Sequence, residues 1–194
     1  MDKQQVVKFF DRMAPGWDAG TIGNDDVIKT ILDYAGVSEG LAVLDVGCGT
    51  GVLVPYYLAR DVAEITAVDI SKKMIECARK KCTDPSVSFV CADAETAQFE
   101  KEFDCCVIYN AFPHFPNPPA LIKNLSACIK TGGVLTIAHG HSREQINRHH
   151  MEHAASVSVE LMDDDALSAL LAPYFNVVVT VSDGCMQQIV GIKR

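Results

Sequence analysis

"VLDVGCGTG", Val43 to Gly51, decides the fold. An apolar run of β-formers leads straight into Gly47, Gly49 and Gly51, and a helical pattern follows in "GVLVPYYLAR". Glycines between a strand and a helix let the main chain turn sharply and approach a ligand, with the helix N-terminus beside it. Dinucleotide-binding loops place their small residues as G-x-G-x-x-G/A. Counted from Gly47, the third such position is Val52, so NAD is not the expected ligand. The spacing present is G-x-G-x-G, with Asp45 at the strand end just before it.

Outward from this loop, strand and helix patterns alternate. "AEITAVDI" reads as a second strand, "SKKMIECARKKC" as a helix capped by Ser71, "VSFVCAD" as a third strand and "FDCCVIYNAF" as a fourth. "PALIKNLSACIK" reads as a helix closing at Gly132-Gly133, and "GVLTIAHG" as a fifth strand. "DDDALSALLAPYF" is a helix with acids at its start, where the dipole favours them. Asp183-Gly184 separates "NVVVTVS" from "CMQQIVGIK", a hairpin signal that makes the last two strands antiparallel. The expected fold is α/β: a doubly wound, seven-stranded, mostly parallel sheet with an antiparallel C-terminal hairpin strand.

A chain of 194 residues, 48% hydrophobic, suits a single domain over 1–194. Within it, 1–40 is expected to form an N-terminal helical cap. No apolar run is long enough to span a bilayer, and "MDKQQVVKFFDRM" lacks the pattern of a signal peptide, so a cytoplasmic protein is expected. A net charge of −8 disfavours nucleic acid as a partner. The eight cysteines (48, 77, 82, 91, 105, 106, 128 and 185) form no C-x-x-C pair and read as reduced core residues. Nothing in the sequence decides the oligomeric state.

Asp69 ends the second strand in "TAVDIS", and Asp93 ends the third in "CADAE". Each has an ordinary structural reading, a helix cap for Asp69 and a turn residue for Asp93. Together with the glycine loop they put acids at three successive strand ends, along the carboxyl edge where open α/β sheets bind ligands. This combination resembles the class I S-adenosylmethionine-dependent methyltransferases, whose fold is Rossmann-like. "FFDRMAPGWD" is similar to the entry segment of small-molecule members of the ubiquinone/menaquinone-biosynthesis type. The resemblance implies S-adenosyl-L-methionine as cofactor. It implies contacts from Asp45, Gly47, Cys48, Gly49, Gly51, Ile70, Ala94 and Asn110, ribose recognition by Asp69, and adenine recognition by Asp93. Trp17 is either an aromatic that closes over the cofactor or an anchor for the N-terminal helix.

Methyl transfer needs an aligned nucleophile, and a base only where that nucleophile carries a proton. The groups expected near the methyl are Tyr109, Asn110 and His114 after the fourth strand, with Phe112 and Phe115 as apolar walls, and His139 after the fifth. "HGHSREQINRHHMEH", His139 to His153, holds five of the six histidines. Ser142 with Gln145 is a capping box, so a helix should start there, and 140–160 is expected to line the substrate site. At 100° per residue, Ile146, His153 and Val157 share a narrow arc with His150 beside them and His149 at its edge. The histidines are thus read as substrate lining, with one as a base, then as a metal site, then as structural residues. No metal is expected. The leading function is transfer of a methyl group to a small-molecule acceptor. A protein or RNA acceptor and a non-catalytic cofactor- or metal-binding module are the alternatives.

Overall fold

The computed structural model describes residues 1–20 and 24–194. Helix α1 (Lys3–Met13), a 3-10 turn, α2 (Trp17–Gly20) and α3 (Asp25–Tyr34) precede strand β1 (Ala42–Val46). Then come α4 (Val54–Leu58), β2 (Glu64–Asp69), α5 (Lys72–Lys81), β3 (Val87–Cys91) and β4 (Phe103–Tyr109). A 3-10 turn at Phe112–His114 leads to α6 (Pro118–Cys128), β5 (Ile129–His139), α7 (Arg143–His153), α8 (Asp164–Leu171), β6 (Phe175–Ser182) and β7 (Gln187–Lys193).

The seven strands lie in the order β3-β2-β1-β4-β5-β7-β6. All neighbours up to β5 are parallel, and β7 runs antiparallel to both β5 and β6. Successive strand residues face opposite sides. Leu44, Cys106 and Ile108 therefore pack toward α6 and α8, while Val43, Cys105 and Val107 pack with Ile28, Leu32 and Tyr57 from α3 and α4. A parallel sheet buried on both faces explains why these strands read as near-continuous apolar runs. The order reverses between β1 and β4, which opens a crevice at their C-terminal ends.

Local chemistry accounts for the joints. Ser71 Oγ accepts from the Met74 amide, and Ser142 with Gln145 forms the reciprocal capping box that starts α7. At the β6–β7 hairpin, Asp183 Oδ1 accepts from the amides of Cys185 (2.7 Å) and Met186 (2.9 Å), which makes a longer turn than a two-residue Asp-Gly connection.

One boundary differs from expectation. Helix α6 stops at Cys128 rather than at Gly132-Gly133, and β5 already begins at Ile129. Ile129 is fully buried and pairs with Phe103, while Gly132 at φ +80° takes up the register shift before Val134 meets Cys105. All eight cysteines are free.

Candidate functional site: a cavity at the carboxyl edge

A cavity lies at the crevice between β1 and β4. Its lining includes Gly47 and Gly49 of the loop, Asp69 and Ile70 after β2, Asp93 and Ala94 after β3, and Asn110, His114 and Phe115 after β4. Lys3, Val6 and Phe10 of α1 roof it together with Trp17. Of the residues expected to contact a cofactor, the structure brings eight to this one space: Trp17, Gly47, Gly49, Asp69, Ile70, Asp93, Ala94 and Asn110.

The loop is held by main-chain bonds. The amides of Gly47 and Cys48 both donate to the Val68 carbonyl, at 2.8 and 3.1 Å. Gly47 sits at φ +71°, and a Cβ there would lie 2.5 Å from that of Ala111. Only glycine fits both the conformation and the space.

Asp69 is fixed through both oxygens: Oδ2 accepts from the Gly49 amide at 2.9 Å and Oδ1 from the Ser71 amide at 2.8 Å. A carboxylate oxygen can accept more than one hydrogen bond, so the carboxylate keeps acceptor capacity on the cavity side. Burial raises its pKa, against the two backbone donors. Asp93 accepts from Lys3 Nζ at 2.5 Å, and the same ammonium is 2.6 Å from Glu95.

The remaining cofactor candidates, Asp45, Cys48 and Gly51, do not line the cavity. Asp45 is buried, with its pKa pushed up to about 8 by burial and by the Asp69 charge, and Oδ2 has no hydrogen-bond partner. The buried Cys48 thiol is likewise pushed up by burial. Gly51 faces a different cleft, beside Asp18, Thr50 and Lys81.

The histidines divide in a way the sequence reading missed. His114 lines the cavity, with its ring 4.9 Å from Phe10 and 5.0 Å from His150. His114 Nδ1 donates to the Val157 carbonyl at 2.9 Å, with Ser158 Oγ 3.2 Å from the same nitrogen. This leaves the lone pair on Nε2. Burial lowers the pKa of His114, so the ring is neutral. His139 is 1% exposed and pushed down to about 3 by burial and by His150 and His114; its Nε2 has no partner.

His149 and His153, expected in the pocket, are exposed and stack on each other at 4.7 Å on the outer face of α7. The arc through Ile146, His153 and Val157 presumed a helix reaching residue 157. The helix ends at His153, and its inward line is Ile146, His150 and Ala154, one turn apart. His150 is therefore the inward histidine, and that i, i+4 pattern was the signal available. A metal site joining His149 and His153 to His139 is not formed. Among the described residues no group of three or more His, Cys, Asp or Glu side chains could hold a metal ion.

Tyr109 also lies elsewhere than expected. It shares parity with Cys105 and Val107, so it packs on the α3 face against Val27 and Ile31 rather than toward the cavity. Phe112 is buried in the core, and only Phe115 forms a wall. Lys3, Val6 and Phe10 were missed; their i, i+3, i+7 spacing on α1 was the legible sign of an inward face.

Glycine loop, pinned acid and switch-point crevice together form the candidate site of this α/β fold. Residues 44–137 match the family model described as a methyltransferase domain. The chain is 34% identical over 141 residues to malonyl-[acyl-carrier protein] O-methyltransferase of Acetivibrio thermocellus, covering 71% of this chain and 50% of that protein. It is 32% identical over 143 residues to ubiquinone biosynthesis O-methyltransferase of Coxiella burnetii, covering 70% and 61%. The chain thus spans between half and two thirds of the length of these relatives. The structure is similar to a DhpI complex with S-adenosylhomocysteine, with a TM-score of 0.78 at 18% identity over 98% of this chain and 96% of that one. This chain belongs to the class I S-adenosylmethionine-dependent methyltransferase family.

Proposed function

We propose that the protein transfers a methyl group from S-adenosylmethionine to an oxygen of a small-molecule acceptor. The observation that carries this reading is Asp69, held through both oxygens by the glycine loop and the start of α5 and lining the cavity. The cavity suits the cofactor: a carboxylate with spare acceptor capacity for ribose hydroxyls, Asp93 and Ala94 in the lining, and a glycine loop where a side chain would take up the space. Asp45 and Cys48 support the loop.

When bound, the sulfonium supplies an electrophilic methyl group whose transfer leaves a neutral thioether. His114 lines the cavity against Phe10, and Asp93 lines it on Lys3, two turns earlier along α1. Its Nδ1–H is committed to Val157, so Nε2 accepts the proton of the acceptor hydroxyl as that oxygen takes the methyl. Phe10, Trp17 and Phe115 keep water from the reacting atoms. The names of both curated relatives, O-methyltransferases, support an oxygen acceptor. We assign residues 1–40 the role of cap and 140–160 that of the acceptor side, with no nucleic-acid or membrane partner and a cytoplasmic location. Among the described residues no helix is long and apolar enough to cross a membrane.

Calorimetric titration with S-adenosylhomocysteine tests the reading. Wild type should bind, and Asp69→Ala should bind roughly 10- to 150-fold more weakly, the equivalent of about 1.5–3 kcal/mol for a hydrogen bond to a charged group. Equal affinity in a folded Asp69→Ala protein contradicts it.

A further inference from the structure

A second cleft lies under α7 and the segment that follows it. It shares a wall with the cofactor cavity. His150 lines the cleft with its ring 5.0 Å from that of His114, and Ser158, also in the lining, has Oγ 3.2 Å from His114 Nδ1. We propose that this cleft holds the methyl acceptor and that the acceptor is an uncharged molecule, an apolar body carrying a hydroxyl or carbonyl that bonds to His150. This rests on the methyl-transfer reading above and adds the substrate class.

Three observations carry it. The first is location: the cleft opens beside the one histidine that lines the cofactor cavity. The second is unmet polarity. His150 Nδ1 and His139 Nε2 are both sealed from solvent without a partner. His139 is 1% exposed and stands close enough to His150 and His114 for each to oppose its protonation. Neither nitrogen reaches a hydrogen-bond partner within the chain, so each is left for a polar group of a bound molecule. The other ring nitrogen of His150 is left to the cleft.

The third is charge. Glu160 is the only acidic side chain in the lining, and no lysine or arginine lines the cleft. In the cofactor cavity Lys3 is the lining cation, and Asp93 and Glu95 already hold it. An acceptor carboxylate would lose its hydration here with no cation to replace it. Met151, 72% exposed, and Val159, 41% exposed, form an apolar mouth that suits an uncharged body. A malonyl-type anion, named for one curated relative, does not match this lining.

The test uses the full chain saturated with S-adenosylhomocysteine and labelled with ¹⁵N in its histidine rings. It is titrated with 4-ethylphenol and, separately, with 4-ethylbenzoate. The expected result is that 4-ethylphenol shifts the ring nitrogens of His150 and His114 and binds roughly tenfold or more tightly than 4-ethylbenzoate. Met151→Ser, on the surface and so free of folding consequences, should weaken phenol binding about threefold or more and leave S-adenosylhomocysteine affinity unchanged. Equal or tighter binding of the benzoate, phenol binding that leaves His150 unmoved, or no phenol binding at millimolar concentration each overturns the proposal. Absence of S-adenosylhomocysteine binding is a separate failure, that of the methyl-transfer reading itself.

Discussion

The two halves of the carboxyl edge are built by different means. At the ends of β1, β2 and β3, main-chain amides do the positioning: Gly47 and Cys48 on the Val68 carbonyl, Gly49 and Ser71 on the Asp69 carboxylate. At the ends of β4 and β5, side chains meet across distant segments: His114 on Val157, His150 against His114, Asn147 Oδ1 accepting from the Leu161 amide. The family match, residues 44–137, covers the first half and His114 of the second, and stops before His139 and α7. In the proposed reading the cofactor falls to the half positioned by backbone, and the acceptor to the half built from side chains.

The largest expected effect breaks the acceptor half alone. His114→Ala should lower methyl transfer to an accepted phenol by ~10²–10⁴-fold, the range for a general base, and leave S-adenosylhomocysteine affinity within about twofold. Equal losses in both would make His114 a cofactor contact and erase the division. The reverse pattern is expected at Gly47. Gly47→Ala adds a Cβ at φ +71° and against Ala111, which costs at least ~1–2 kcal/mol of backbone strain. S-adenosylhomocysteine binding should weaken roughly tenfold or more, measured by calorimetry on protein checked for fold by circular dichroism.

A third prediction uses acid. His139 is held at about 3 in the folded protein against 6.5 for a free imidazole. As pH falls through 6.5 toward 3, the unfolded chain takes up a proton that the folded chain refuses, so stability is lost over that window. Between pH 7 and 5 this one group should cost about 2 kcal/mol in denaturant titrations, and His139→Leu should remove that difference. Asp45, raised to about 8, acts in the opposite sense, which is why the comparison is between variant and wild type rather than on wild type alone. A His139→Leu protein with unchanged acid sensitivity places the ring outside the buried cluster.

The smallest effect is expected at His149 and His153. Replacing either by alanine should change turnover by less than about threefold, because both rings face solvent on the far side of α7. A large loss there would mean that α7 rotates when the acceptor binds.

The sequence made the cofactor half readable because its information is local. Three glycines, an acid at each strand end and Ser71 as a cap lie within short spans, and their spacing translates directly into backbone geometry. Tyr109 was misplaced by one step of strand parity: it follows Cys105 and Val107 onto the face of β4 that packs on α3, and that face follows from sheet packing rather than from the residue itself. The histidine face of α7 was misplaced because it depended on where the helix stops. Val157 belongs to the chain that turns back after His153, where its carbonyl reaches His114. Lys3 reaches Asp93 from 90 residues away, a pairing no local pattern announces.

The most direct measurement is a crystal structure with S-adenosylhomocysteine bound. The account predicts the ribose on Asp69, the adenine beside Asp93 and Ala94, and the sulfur beside His114, with His150 nearer to it than His149 or His153. The nucleoside in the cleft beside Thr50 and Lys81, or the sulfur turned away from His114, would contradict it.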